Sequence, residues 1–223
     1  MIIGKGLIAS QFIEVDSDDI LFFASGVSNS SEADPKQFLR EQNLIEETLK
    51  KFPKLLFVYF STCSIYDSSK YNSPYVLHKL HMEEIIKEKA SHYLILRVSN
   101  AVGKGGNPNL LMNYLYRQFS NQEPLTIHQF ATRNLIDVED VKNIALSYIK
   151  QNKKNQIVNV AYTANFCIPE IIKGFEKVFE AKADVQLVPK GEHYSIDVSE
   201  LAYRFDFDNK TDYLENLIRK YYT

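Results

Sequence analysis

The 223-residue chain has no tryptophan, two cysteines and no long apolar run. Cys63 and Cys167 are too few for a disulfide framework and fit a reducing compartment. The longest uninterrupted apolar run, Leu55 to Phe60, falls far short of the ~20 residues that cross a bilayer. The opening MIIGKGLIAS has no basic region ahead of an apolar core, so it does not read as a secretory signal. An excess of one charge is also missing. Lys and Arg number 26 against 28 Asp and Glu, interspersed, for a net charge of -2, and tracking phosphates on a nucleic acid needs concentrated basic charge. The five histidines show no ligand spacing with cysteines or carboxylates, so no metal is expected. A soluble cytoplasmic globule, without membrane or nucleic-acid partners, is the expectation.

What is present suffices for a core: 45% hydrophobic residues, 13% aromatic and 24% charged exclude disorder of the whole chain. Short β-rich runs alternate with amphipathic helices. Strands are predicted at Met1 to Ile3, Ile20 to Ala24, Leu55 to Phe60, Tyr93 to Val98, Leu125 to His128 and Ile157 to Val160. Helices are predicted at Leu7 to Phe12, Pro35 to Lys51, Pro74 to Ala90, Asn109 to Ser120, Val138 to Gln151, Pro169 to Ala181 and Asp212 to Tyr222. Asp34-Pro35 and Ser73-Pro74 are cap-then-first-position signatures that fix two helix starts. Nearly all-apolar strands are those of a parallel sheet buried on both faces. The fold class is therefore α/β, a doubly wound, Rossmann-like parallel sheet. Residues 1–107 and 129–162 are assigned to its core, and 108–128 and 163–223 to a small C-terminal substrate lobe.

Gly4-Lys5-Gly6-Leu7-Ile8-Ala9 places G-x-G-x-x-A between a strand and a helix. Gly4 permits the turn, Gly6 lets a pyrophosphate approach, and the amides of Leu7 and Ile8 face it. An ordinary strand-turn-helix remains the bland alternative. The usual ribose-binding carboxylate lies ~20 residues on, at the end of a second strand. Here Ile20 follows Ala9 by about ten residues, too few for another βαβ crossover of ~30 residues. The N-terminal half is abbreviated. Asp16, Asp18 or Asp19 could stand in for the ribose ligand, although a solvated acidic turn is the commoner outcome.

The Leu55 to Phe60 strand runs into Ser61-Thr62-Cys63-Ser64, which puts hydroxyls at the edge where open α/β sheets bind ligands. Tyr75 begins a later helix and Lys79 follows one turn on, sharing its face. An adjacent cation favours a phenolate, so the tyrosine could take the proton of a substrate hydroxyl while Thr62 orients that group. On the helix alone, chance spacing is the better explanation of the pair. His78 reads as a half-exposed helix residue and Cys63 as a small buried filler.

In this order the motifs resemble the extended short-chain dehydrogenase/reductase family, the NAD-dependent nucleotide-sugar epimerases and dehydratases. The resemblance rests on Gly4 to Ala9, Phe22-Phe23-Ala24-Ser25-Gly26, Phe60 to Tyr66, Ser73 to Lys79, Leu96 to Gly103, Asn109-Leu110-Leu111, Pro124 to Ile127 and Arg133 to Asp140. It implies a catalytic Thr62, Tyr75 and Lys79, with Asn43 supporting the proton relay. It implies a cofactor, NAD or NADP with NAD favoured, bordered by Gly4, Gly6, Leu7, Ile8, Ala24, Ser25 and Gly26, with Tyr75 and Lys79 reaching its nicotinamide ribose. Ser99 and Asn100 would meet the nicotinamide and sugar, and Asn109 and Arg133 the diphosphate of a nucleotide-sugar. A homodimer is implied by the same analogy. Family dehydratases carry Asp-Glu after the triad threonine, where this chain has Cys63-Ser64, so an epimerase or keto-sugar reductase is expected. The rival is a degenerate member that binds a sugar nucleotide or protein partner without redox turnover.

Overall fold

The computed structural model describes residues 1–15, 17–207 and 209–223. The first half contains β1 (Ile2–Ile3), α1 (Leu7–Ser10), β2 (Ile20–Phe23), α2 (Pro35–Lys51), β3 (Leu56–Thr62), a 3-10 turn (Cys63–Tyr66), α3 (Pro74–Lys89), β4 (His92–Val98) and β5 (Asn100–Val102). There follow α4 (Leu111–Ser120), β6 (Leu125–His128), β7 (Thr132–Arg133), β8 (Leu135–Asp137), α5 (Val138–Lys150), β9 (Gln156–Val160), β10 (Phe166–Cys167), α6 (Ile168–Phe179), β11 (Val185–Val188) and α7 (Lys210–Tyr222).

Five strands form one parallel sheet in the order β1-β2-β3-β4-β9. Every residue of β3 is buried, as its central place requires. Successive side chains of a strand point to opposite faces. Phe22, Val58, Phe60, Leu94 and Leu96 accordingly join a cluster with Val141, Ile144, Phe175 and Leu217 from α5, α6 and α7. Leu21, Phe23, Phe57, Tyr59 and Ile95 join Ile45 and Leu49 of α2 and Met82 and Ile86 of α3 on the other side. The expected doubly wound α/β architecture is thus present. The two predicted helix starts form as read: Asp34 accepts the Lys36 N–H at 2.9 Å, and Ser73 accepts the Val76 N–H at 3.3 Å.

The N-terminal half is shortened in a definite way. Helix α1 ends at Ser10, and the next element, β2, begins at Ile20 and lies directly beside β1. No strand pairs with the outer side of β1 among the described residues. Asp18 and Asp19 are exposed immediately before Ile20, at the N-terminal end of β2. That is the sheet edge opposite the one reached by Thr62, so the acidic turn cannot serve a ligand there. Asp16 lies outside the described residues.

The remaining strands are short pairs: β5 with β8 and β6 with β11 in parallel, β7 with β10 antiparallel. Strand β6 therefore belongs to its own two-stranded ladder rather than to the central sheet. Helix α4 starts at Leu111, two residues later than expected, because Asn107 Oδ1 accepts the Asn109 N–H and keeps Asn109 in the loop. The same hydrophobic cluster continues from the sheet into α4, α6 and α7.

Gly4 has φ +134°, and a Cβ there would lie 2.3 Å from the Ala24 carbonyl oxygen. Gly4→Ala is expected to destabilise the protein by about 2 to 3 kcal/mol, read as a lower urea midpoint at unchanged m-value.

Candidate active site

Because the sheet is parallel, adjacent strands end on one edge. Lys5 follows β1, Ala24 follows β2, Thr62 closes β3 and Ser99 follows β4. They border a cavity of roughly 970 Å³ that is closed on its far side by Asn109, Tyr114, Arg133 and Tyr194. Gly6, Leu7, Ile8, Ser25, Gly26, Tyr75, Lys79 and Asn100 also line it. Of the residues expected at the site, only Gly4 and Asn43 do not. Gly4 sits behind, shaping the turn against Ala24.

Tyr75 occupies the first turn of α3, 6% exposed, packed with Val27 and Val76 at the cavity wall. Thr62 Oγ1 accepts the Ser64 N–H at 3.0 Å, which caps the 3-10 turn and fixes the hydroxyl at the strand end. Asn100 donates to the Asn134 carbonyl at 2.7 Å. Arg133 donates to the Thr132 carbonyl at 2.7 Å and lies 3.9 Å from Asp67. Ser99 Oγ is buried with no hydrogen-bond partner among the described residues. A buried orphan hydroxyl beside a cavity is free to bond a ligand or a water there.

Lys79 is only 2% exposed and its three donors are all taken within the chain. They reach Glu41 Oε1 at 3.0 Å, Tyr59 Oη at 3.0 Å and the Phe60 carbonyl at 3.3 Å. The lysine expected to serve a cofactor ribose is therefore held as half of a buried ion pair. Glu41 is completely buried and receives three further hydrogen bonds: Tyr59 Oη at 2.6 Å, the Val27 N–H at 2.6 Å and His78 Nε2 at 3.0 Å. Burial pushes this carboxyl up, but the Lys79 charge and the bonds from His78, Tyr59 and Val27 outweigh it and hold it well below the usual carboxylate range. Burial, and then Glu41, drive the Tyr59 phenol well above its ordinary value, so it stays a neutral donor.

Two expectations are corrected here. Asn43 lies on the exposed side of α2, two positions and about 200° round the helix from Glu41, and does not reach the site. His78 is buried, bonded to Glu41 and stacked on Phe38 with centroids 4.6 Å apart, not half-exposed. Glu41 itself was missed. The clue was a carboxylate in the apolar stripe it shares with Ile45, Thr48 and Leu49. Cys63 is buried as expected, and burial pushes its thiol up to about 12, which makes it inert.

The cavity has a marked charge. Lys5, Arg40, Lys70, Lys79 and Arg133 line it, and no aspartate or glutamate does among the described residues. Lys70 donates to Ser30 Oγ at 3.0 Å, and burial followed by the neighbouring Arg133 charge lowers its amine from the ordinary value. Among the described residues no group of three His, Cys, Asp or Glu could hold a metal, and no helix is long and apolar enough to cross a membrane.

A family model described as the NAD dependent epimerase/dehydratase family matches residues 8–161. The chain belongs to that family. Solved structures share the family fold. RMD from Pseudomonas aeruginosa, complexed with NADPH, is 15% identical, with 95% of this chain and 84% of that chain covered at a TM-score of 0.74. UDP-glucuronic acid 4-epimerase from Bacillus cereus, in complex with UDP-glucuronic acid and NAD, is 20% identical over 89% of this chain and 76% of that one, TM-score 0.71. UDP-N-acetylglucosamine 4-epimerase from Methanobrevibacter ruminantium is 17% identical over 90% and 76%, TM-score 0.72. No curated protein matches the chain.

Removing Glu41 leaves Lys79 charged, buried and unpaired. Glu41→Ala is expected to cost about 3 to 5 kcal/mol in urea unfolding, whereas Asn43→Ala stays within about 0.5 kcal/mol. Since the folded carboxyl lies below its ordinary value of 4.5, its stabilisation is complete above that pH and is lost as pH falls. Unfolding free energy measured against pH should show this acid loss in the wild type and lack it in Glu41→Gln.

Proposed function

We propose that the chain is an NAD(P)-dependent enzyme that epimerises or reduces a nucleotide-linked sugar. The observation that carries this reading is the cavity itself, where Thr62 and Tyr75 face a space lined by Lys5, Arg40, Lys70 and Arg133 besides the ion-paired Lys79, and by no acid among the described residues. Such a lining suits ligands that carry phosphates. The residues present fit the nicotinamide side of a cofactor: Gly26 lets the loop after β2 pack on the buried ion pair, since a Cβ there would lie 2.6 Å from Lys79 Nζ and 2.7 Å from Glu41 Oε1, and Ser99 Oγ beside the cavity offers an unused hydroxyl. When bound, the nicotinamide supplies a hydride acceptor or donor.

The chain's own groups supply the rest. Thr62 Oγ1 orients the reacting sugar hydroxyl at the end of β3. Tyr75 Oη takes or returns the proton of that hydroxyl. Lys79, fixed by Glu41, stands one helical turn behind Tyr75 and keeps α3 locked against β3. Asn109 and Arg133 stand at the opposite wall, where a guanidinium can hold a diphosphate. Elimination of water needs a further acid or base in the cavity, and the absence of any carboxylate from its described lining argues against dehydration. Exposed Leu39 on α2 and Leu77 on α3 suit the homodimer that the family resemblance implies.

Tyr75→Phe tests the reading. Turnover of a nucleotide-sugar should fall by at least about a hundredfold with unchanged far-ultraviolet dichroism and urea midpoint. Turnover within a few fold of wild type would refute the role of the phenol.

A further inference from the structure

The cavity ends abruptly on its N-terminal side. Its lining there consists of Lys5, Gly6, Leu7 and Ile8, all of them at or just past the end of β1. Among the described residues no further strand stands beyond them, and β1, paired only with β2, is the sheet edge. A dinucleotide lying across such an edge would leave one half over solvent.

The other features of this flank agree. Asp18 and Asp19 of the return lie at the opposite edge of the sheet, and among the described residues no carboxylate lines the cavity to take a ribose hydroxyl. A second groove does run along β1, but Glu14 and Asp18 stand in its wall with Met1, Ile2 and Phe52. Phosphate oxygens are repelled by such a wall. The unused donor, by contrast, is on the far side of the cavity: Ser99 Oγ sits beyond β4, on the same edge as Thr62.

We propose that this site grips its cofactor by the nicotinamide mononucleotide half alone, so that free nicotinamide mononucleotide serves it almost as well as the dinucleotide. This rests on the redox reading above. Binding free energy comes from groups that are desolvated and contacted, and an adenosine half lying in water adds little of either. Two consequences follow. The 2′-phosphate that separates NADP from NAD belongs to the ungripped half, so the two are not distinguished. Ser99 belongs to the gripped half, so its loss is felt equally by short and long forms.

Dihydronicotinamide fluorescence, titrated with the full chain, gives dissociation constants for reduced nicotinamide mononucleotide, NADH and NADPH without any turnover. The three are expected to agree within about tenfold, and adenosine 5′-diphosphate at millimolar concentration should displace none of them. Ser99→Ala should weaken all three by one common factor, about three- to tenfold. An NADH affinity about a hundredfold or more above that of the mononucleotide, or displacement by adenosine diphosphate, overturns the inference and leaves the redox reading standing. If none of the three binds, the redox reading fails and the inference falls with it.

Discussion

One buried contact organises the site: the Glu41 carboxylate against the Lys79 ammonium. Neither group is stable there alone, since a desolvated charge without its partner is strongly unfavourable. The pair therefore imposes its geometry on everything that touches it. Through the Val27 N–H it fixes the loop after β2, through Tyr59 it fixes β3, and through His78 it fixes the face of α3 that presents Tyr75. Four separate segments of the chain, the loop after β2, α2, β3 and α3, meet at this pair. Helix α3 is thus positioned from behind, leaving Tyr75 and Thr62 on the cavity side.

This arrangement divides labour differently from what a tyrosine and lysine one turn apart suggest. The ammonium is not a free charge beside a phenol, because Glu41 cancels it at close range and the remaining donors go to Tyr59 and Phe60. Positive potential in the cavity comes instead from Lys5, Arg40, Lys70 and Arg133 around the rim. The positive charge of the cavity and the anchoring of α3 are carried by different residues.

Much of this was legible beforehand. The apolar run at β3, the Asp34-Pro35 and Ser73-Pro74 starts, and the short interval between α1 and β2 each have a local physical cause that acts in the isolated sequence. The shortened half followed from chain length alone, since a crossover needs residues that are not there. What escaped depended on tertiary contact. Glu41 and Asn43 are both polar residues of one helix, and only the rotation of α2 against β3 selects the first. His78 reads as half-exposed in the sequence because its partner lies 37 positions earlier. The two-residue strands β7 and β10 have no sequence period long enough to detect.

The far end of the chain reaches the same edge by another route. Asp137, which caps α5 by accepting the Glu139 N–H, also receives Lys220 and Tyr221 from the last turn of α7, and its own amide is held by Tyr213. Arg133 stands just ahead on the same short stretch of backbone. The tail thus works as a latch on a cavity wall it never touches. Loss of Lys220 and Tyr221 would loosen the wall that carries Arg133 while every lining residue remained in place.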